Sequence, residues 1–222
     1  MAFANGDMPT KFTIRIENIS KPDAFTASNG AKWSLAFSPG IALVHTNNAP
    51  IFTAGKKDRA QGLEAQSEDG DPSLLAKSLK DGKGIKSVSV FNTPVGASAP
   101  GPIMPGAAYE VAVSAMPGDR FSMTIMMGQS NDWFYAPNES GIELFPNGKA
   151  MSGDISAQLH LWDAGTEVDQ EAGIGSEQGP RQKAPNTGKR ENGVVRKVQD
   201  GKSYSNTASV LRVTITPAMP AM

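Results

Sequence analysis

The sequence predicts an all-β protein, an antiparallel β-sandwich with two short helices, and three observations lead there. Gly and Pro number 23 and 16 in 222 residues, about 18% of the chain against roughly 12% in average proteins, an excess that asks for many turns. Eight or nine short segments carry strand-type alternation or compact apolar runs bounded by turn residues. No linker, composition shift or internal repeat divides the chain, so one domain is expected over residues 11–217, with loose ends at 1–10 and 218–222.

Along the chain, KFTIRI (11–16) sets Phe12, Ile14 and Ile16 on one face and Lys11 and Arg15 on the other, a half-buried strand. WSLAFSP (33–39) and IALVHT (41–46) read as strands on either side of a Pro39-Gly40 turn. RAQGLEAQSEDG (59–70) lacks β-branched residues and predicts a short helix ending near Gly70. DPSLLAKSLKDG (71–82) predicts a second, with Asp71 to cap it, Pro72 suited to the first turn and Gly82 to close it. KSVSVFN (86–92) is a strand with Val88 and Val90 inward, followed by a Pro/Gly/Ala/Ser-rich connection at 94–106. AYEVAVSAM (108–116) and RFSMTIMM (120–127) read as a hairpin turning at Pro117-Gly118-Asp119, with Phe121, Met123, Ile125 and Met127 in the core. AQLHLWDAG (157–165), VVRKV (194–198) and SVLRVTITP (209–217) complete the strands, and the polar stretch 166–192 is a long loop.

Composition removes several function classes. Net charge is −1, which argues against nucleic-acid binding and a polybasic membrane anchor. The absence of cysteine excludes disulfides, thiolate catalysis and cysteine-held metals. With only His45 and His160, a three-histidine metal site within one chain is excluded too. Ala2-Phe3-Ala4 before Asn5 resembles the end of a secretory signal.

Carboxylates gather in two strand-exit loops. One holds Asp132, with Glu139 and Glu143 beyond it, beside the aromatic triplet Trp133, Phe134 and Tyr135, which reads as exposed. The other, LWDAGTEVDQE, holds Asp163, Glu167, Asp169 and Glu171, with Gly165 to turn the chain tightly. From residue type alone three readings stand open. The acids are solvated; or loops at one end of a sandwich converge and hold Ca²⁺ through oxygen ligands; or two of them form a glycosidase pair with Trp133 and Trp162 stacking on sugar. No Arg, Lys or His accompanies the cluster locally, so without a cation the acids would repel one another. Ser38 with His45 has no Gly-x-Ser-x-Gly elbow, and TAGKKDRAQG (53–62) is not a phosphate loop. GPRQKAPNTGKRENG (179–193) reads as a solvated basic loop.

FSMTIMMGQSNDWF followed by LHLWDAGTE resembles the spondin domain family, whose members show an MMGPSPDW-type stretch and then a WDAGTDSG-type stretch at a comparable interval. The resemblance implies a C2-like antiparallel sandwich with one Ca²⁺ site. Carried over by position, its ligands fall on Asp132, Asp163 and Glu167. Here Asn131 replaces the family's Pro and Glu167 its Asp, and the cysteines of the animal proteins are missing, as in stand-alone bacterial members. It further implies a secreted, periplasmic or cell-surface adhesion domain rather than an enzyme. Calcium would order loops that present Trp133, Phe134 and Tyr135 to an extracellular protein or glycan. A calcium-dependent carbohydrate-binding module and a self-assembling subunit of a filament or surface layer are the alternatives, and membrane docking is less favoured.

Overall fold

In a computed structural model that describes residues 8–46 and 48–218, every strand pairing is antiparallel. The strands are β1 (Thr10–Asn18), β2 (Phe25–Thr26), β3 (Lys32–Trp33), β4 (Phe37–His45), β5 (Ile85–Phe91), β6 (Ala108–Ala115), β7 (Arg120–Met127), β8 (Trp133–Pro137), β9 (Ile142–Glu143), β10 (Gly153–Asp154), β11 (Leu159–Asp163), β12 (Arg196–Lys197) and β13 (Leu211–Pro217). A four-stranded sheet runs β10-β13-β1-β6, and a larger one runs β12-β11-β8-β7-β4-β5, with β9 on β7. The helices are α1 (Leu63–Glu68) and α2 (Ser73–Leu79), the latter preceded by an Asp71 carboxylate that accepts the Ser73 N–H at 2.9 Å. No helix among the described residues is long and apolar enough to cross a membrane. The Ala2-Phe3-Ala4 stretch and the tail beyond Ala218 lie outside the described residues.

Alternation in β1 does what the sequence predicts. Phe12, Ile14 and Ile16 are fully buried between the sheets, with Ile14 level with Ile215 on β13 and Val111 on β6. The larger sheet behaves differently because both of its faces are covered. Its inner face contributes Phe121, Met123, Ile125 and Met127 to the inter-sheet core. Its outer face contributes Ile41, Leu43 and Phe134 to a second core with Leu63 of α1, Leu75 and Leu79 of α2, and Phe52. The molecule is therefore a sandwich with a third, helical layer.

That third layer corrects the reading of the aromatic triplet. Trp133, Phe134 and Tyr135 are not an exposed loop; they open β8 and are 8%, 0% and 0% exposed. Trp133 and Tyr135 point into the inter-sheet core, while Phe134 points the other way, edge-on to Phe52 at 5.5 Å. Tyr135 hydrogen-bonds the Tyr204 carbonyl at 2.7 Å. None of the three offers a partner-contact surface. Trp162 is 3% exposed, so neither tryptophan of the glycosidase reading stands open to a sugar.

Two turn predictions also change. Pro39-Gly40 lies inside β4, where the register against β7 shifts between Phe37 and Gly40. A Cβ on Gly40 would collide with the Thr124 carbonyl and the Phe91 ring, so Pro and Gly here mark a bulge and a close approach. Pro117-Gly118-Asp119 is a real turn, closed by the Asp119 N–H on the Met116 carbonyl at 3.0 Å. It carries the chain from one sheet to the other, because β6 and β7 belong to different sheets. Val90, expected inward, is 43% exposed on the edge strand β5.

Truncating Phe134 to alanine is expected to cost about 3–5 kcal/mol by opening a cavity under the helices. The cost should be the same with and without calcium. Urea unfolding reads it, and a loss under about 1 kcal/mol would place Phe134 back on the surface.

Candidate metal centre

Asp132 and Asp163 come together because β8 begins where β11 ends. Asp163 is level with Trp133 across the two strands, so Asp132 is its diagonal neighbour. The ladder continues one step further, from the Ala164 N–H to the Asp132 carbonyl at 3.1 Å. The loop after β11 then wraps the Asp132 carboxylate. Oδ2 accepts the Thr166 N–H at 2.7 Å, the Thr166 hydroxyl at 3.1 Å and the Glu167 N–H at 3.1 Å. Gly165 makes that wrap sterically available, with φ +70° and a site where a Cβ would meet the Val194 backbone. Asp163 Oδ1 accepts the Gly165 N–H at 2.6 Å.

The third carboxylate at this point is Glu191, not Glu167. Loop 166–192 folds back on itself. The Val168 N–H reaches the Lys189 carbonyl at 2.7 Å, the Glu191 N–H the Thr166 carbonyl at 2.9 Å, and the Gly193 N–H the Gly165 carbonyl at 2.7 Å. This pairing returns Glu191 to the end of β11, where carboxylate oxygens of Asp132, Asp163 and Glu191 lie within 4.8 Å of one another. Glu167 donates its backbone N–H to Asp132 Oδ2. Its own Oε1 accepts a hydrogen bond from Asn131 Nδ2 at 2.9 Å. A Cβ at Gly188 would overlap that carboxyl group, so the returning arm of the loop packs directly against it. Asn131, in the place of the family's Pro, also ties down the loop: its Oδ1 accepts the Gln170 N–H at 2.9 Å and Gln178 Nε2 at 3.3 Å.

The other candidates are engaged elsewhere. Glu139 accepts the Ala54 N–H, Glu143 pairs with Arg120 at 3.0 Å, and Glu171 accepts the Ser28 N–H at 2.6 Å. Ser38 hydroxyl receives the Met126 N–H, far from a nucleophile's role, while buried His45 faces Ser122 at 2.9 Å.

Electrostatics at the trio are unbalanced. Asp132 and Asp163 are 0% and 2% exposed. Burial raises the Asp132 carboxyl above its ordinary value, partly offset by the Glu167 and Thr166 donors. Burial first, then the Asp132 and Asp169 charges, push Asp163 up to about 7 against the pull of Arg196. Asp169 is raised to about 7 by burial and Asp132, and Glu68 of α1 to about 7 by burial ahead of its acidic neighbours. One oxygen stands out: Asp132 Oδ1 is buried and has no hydrogen-bond partner. An orphaned buried carboxylate oxygen is costly. An all-oxygen donor set around it fits a hard divalent cation such as Ca²⁺.

Three groups with folded values near 7 and unfolded values near 4 bind extra protons in the native state. Their contribution to stability is complete below pH 4 and is lost as pH rises through 7. In chelator, the melting temperature should therefore fall between pH 5.5 and 7.5, outweighing His160, whose lowered value works in the opposite sense. Saturating calcium should flatten the slope. A melting temperature that climbs over this range in chelator would contradict the assignment.

A family model described as Spondin_N matches residues 10–209. No curated protein matches this chain. The matched span takes in every strand except β13, both helices and all three clustered acids, and by it the chain belongs to the spondin N-terminal domain family.

Proposed function

We propose that this domain holds one Ca²⁺ ion between Asp132, Asp163 and Glu191 and uses it to fix the loops at that end of the sandwich for adhesion outside the cell, in the secreted, periplasmic or surface space. The observation that carries the proposal is the buried, unpartnered Oδ1 of Asp132, a residue whose carboxylate lies close to two others. When bound, the ion would supply positive charge to the three carboxylates and a partner to Asp132 Oδ1, which burial otherwise leaves uncompensated. Asp132 would add Oδ1 while its Oδ2 keeps the 166–167 backbone in place; Asp163 would add Oδ2 while Oδ1 holds Gly165. Glu191 would supply the third carboxylate.

A binding module rather than an enzyme is the better account, because the acids are occupied in positioning one another and the backbone. Contact with an extracellular protein or glycan would fall to the polar rim rather than to the buried aromatics. A cleft of about 160 Å³ beside the trio offers Lys57, Asp58, Glu64, Arg190 and Asn192 around Gly165 and Thr166.

Native mass spectrometry should find one calcium per chain, lost in Glu191→Gln and kept in Glu167→Gln. At a hundredfold excess over Kd, calcium should stabilise the wild type by about 2.7 kcal/mol. In a domain of this size that is roughly 5–10 °C in melting temperature. Retention of calcium by Glu191→Gln with loss in Glu167→Gln would reverse the ligand assignment, and no calcium in any form would overturn the site.

A further inference from the structure

Arg196 sits where a cation is wanted. It lies on β12, level with Asp163 on β11. Its Nη2 is 2.6 Å from Asp163 Oδ2 and 3.0 and 3.2 Å from the two oxygens of Glu191. Asp163 Oδ1 is already taken by the Gly165 N–H, so the guanidinium uses the oxygen that the carboxylate turns toward its neighbours. The burial is asymmetric. The Asp163 side chain is 3% exposed and that of Arg196 is 42% exposed. The acids are thus fixed in the fold, while the arginine reaches in from solvent.

We infer that Arg196 is a built-in counter-cation that exchanges with the metal ion, setting how tightly this site holds calcium. The inference rests on the calcium reading of the trio. A planar, singly charged guanidinium pairs well with two carboxylates but is a poor match for a third from another direction. Here it pairs with Asp163 and Glu191 and leaves Asp132 Oδ1 without a partner. A small divalent ion, coordinated from all sides, suits all three acids. The exchange costs little on the arginine side, because a side chain already half in water returns to full hydration. On the acid side neither state leaves Asp163 buried and unpaired, which is the expensive condition. Two consequences follow. The metal-free domain keeps its fold because Arg196 screens two of the three charges. Calcium binding is weaker than a bare carboxylate trio would give, because part of its gain offsets the lost ion pairs.

Arg196→Gln separates these effects, with Arg196→Lys as a charged control that lacks the planar fork. Calcium titration calorimetry on chelator-stripped protein should show Arg196→Gln binding about tenfold tighter or more. Its melting temperature in chelator should fall by roughly 2–4 °C or more. Arg196→Lys should lie between it and the wild type on both readouts. If Arg196→Gln folds only when calcium is present, the counter-cation role is supported in its strongest form. If the wild type binds calcium and Arg196→Gln binds it no tighter, the site stands and the role of Arg196 is overturned. If neither binds calcium, the metal reading falls and this inference with it.

Discussion

The burial of Asp132 is the constraint on which the functional end of this molecule depends. Its carboxylate occupies the first position before β8, at a depth where a charge is tolerated only when surrounded by donors or a cation. One oxygen organises the loop after β11 by accepting three hydrogen bonds, and that loop in turn pairs with the segment that brings Glu191 home. The second oxygen is buried without a hydrogen-bond partner. Loop conformation, clustering of acids and the demand for positive charge are thus consequences of a single buried side chain.

The depth comes from the layering. A sheet covered on one face would expose alternate residues of β8 and leave Asp132 near water. The helices and the segment around Phe52 cover the outer face, so β8 is buried along its whole length. Continuous burial also explains why consecutive aromatics are stable there. Odd positions fill the core between the sheets, and Phe134 fills the one beneath the helices.

What the sequence made legible follows the same logic. Strands with one wet face, such as β1, announce themselves by alternation, and α2 by Asp71 and Pro72. The pairing of Asp132 with Asp163 was readable because both sit in motifs with a family signature, covering residues 10–209. The buried β8 gives no strand signal because a strand wet on neither face has no alternation to display, and three aromatics after an acid look like a loop tip. Pro39-Gly40 and Pro117-Gly118 carry the same turn signal, yet one is a bulge within a strand and the other a crossing between sheets. Only tertiary neighbours such as Thr124 and Phe91 distinguish them. Glu191 carried no local signal beyond its place just before Asn192-Gly193, and its position follows from how two arms of a long loop pair. Arg196 gives no local signal for the same reason, being 33 positions from the acid it pairs with.

The folded-back loop has a consequence for how this chain can vary. Its arms are fixed by Val168 on Lys189 and Thr166 on Glu191, and its middle by Asn131, Gln178 and Arg181. Residues 183–185 beyond those anchors are exposed. The entropy of closing a loop rises only with the logarithm of its length, about 0.6 kcal/mol for each doubling. Residues inserted at 183–185 therefore cost the domain almost nothing, while Glu191 stays in place. An exposed tip that can lengthen, carried on arms held by backbone hydrogen bonds, is where new recognition can be grafted without rebuilding the acids beneath it.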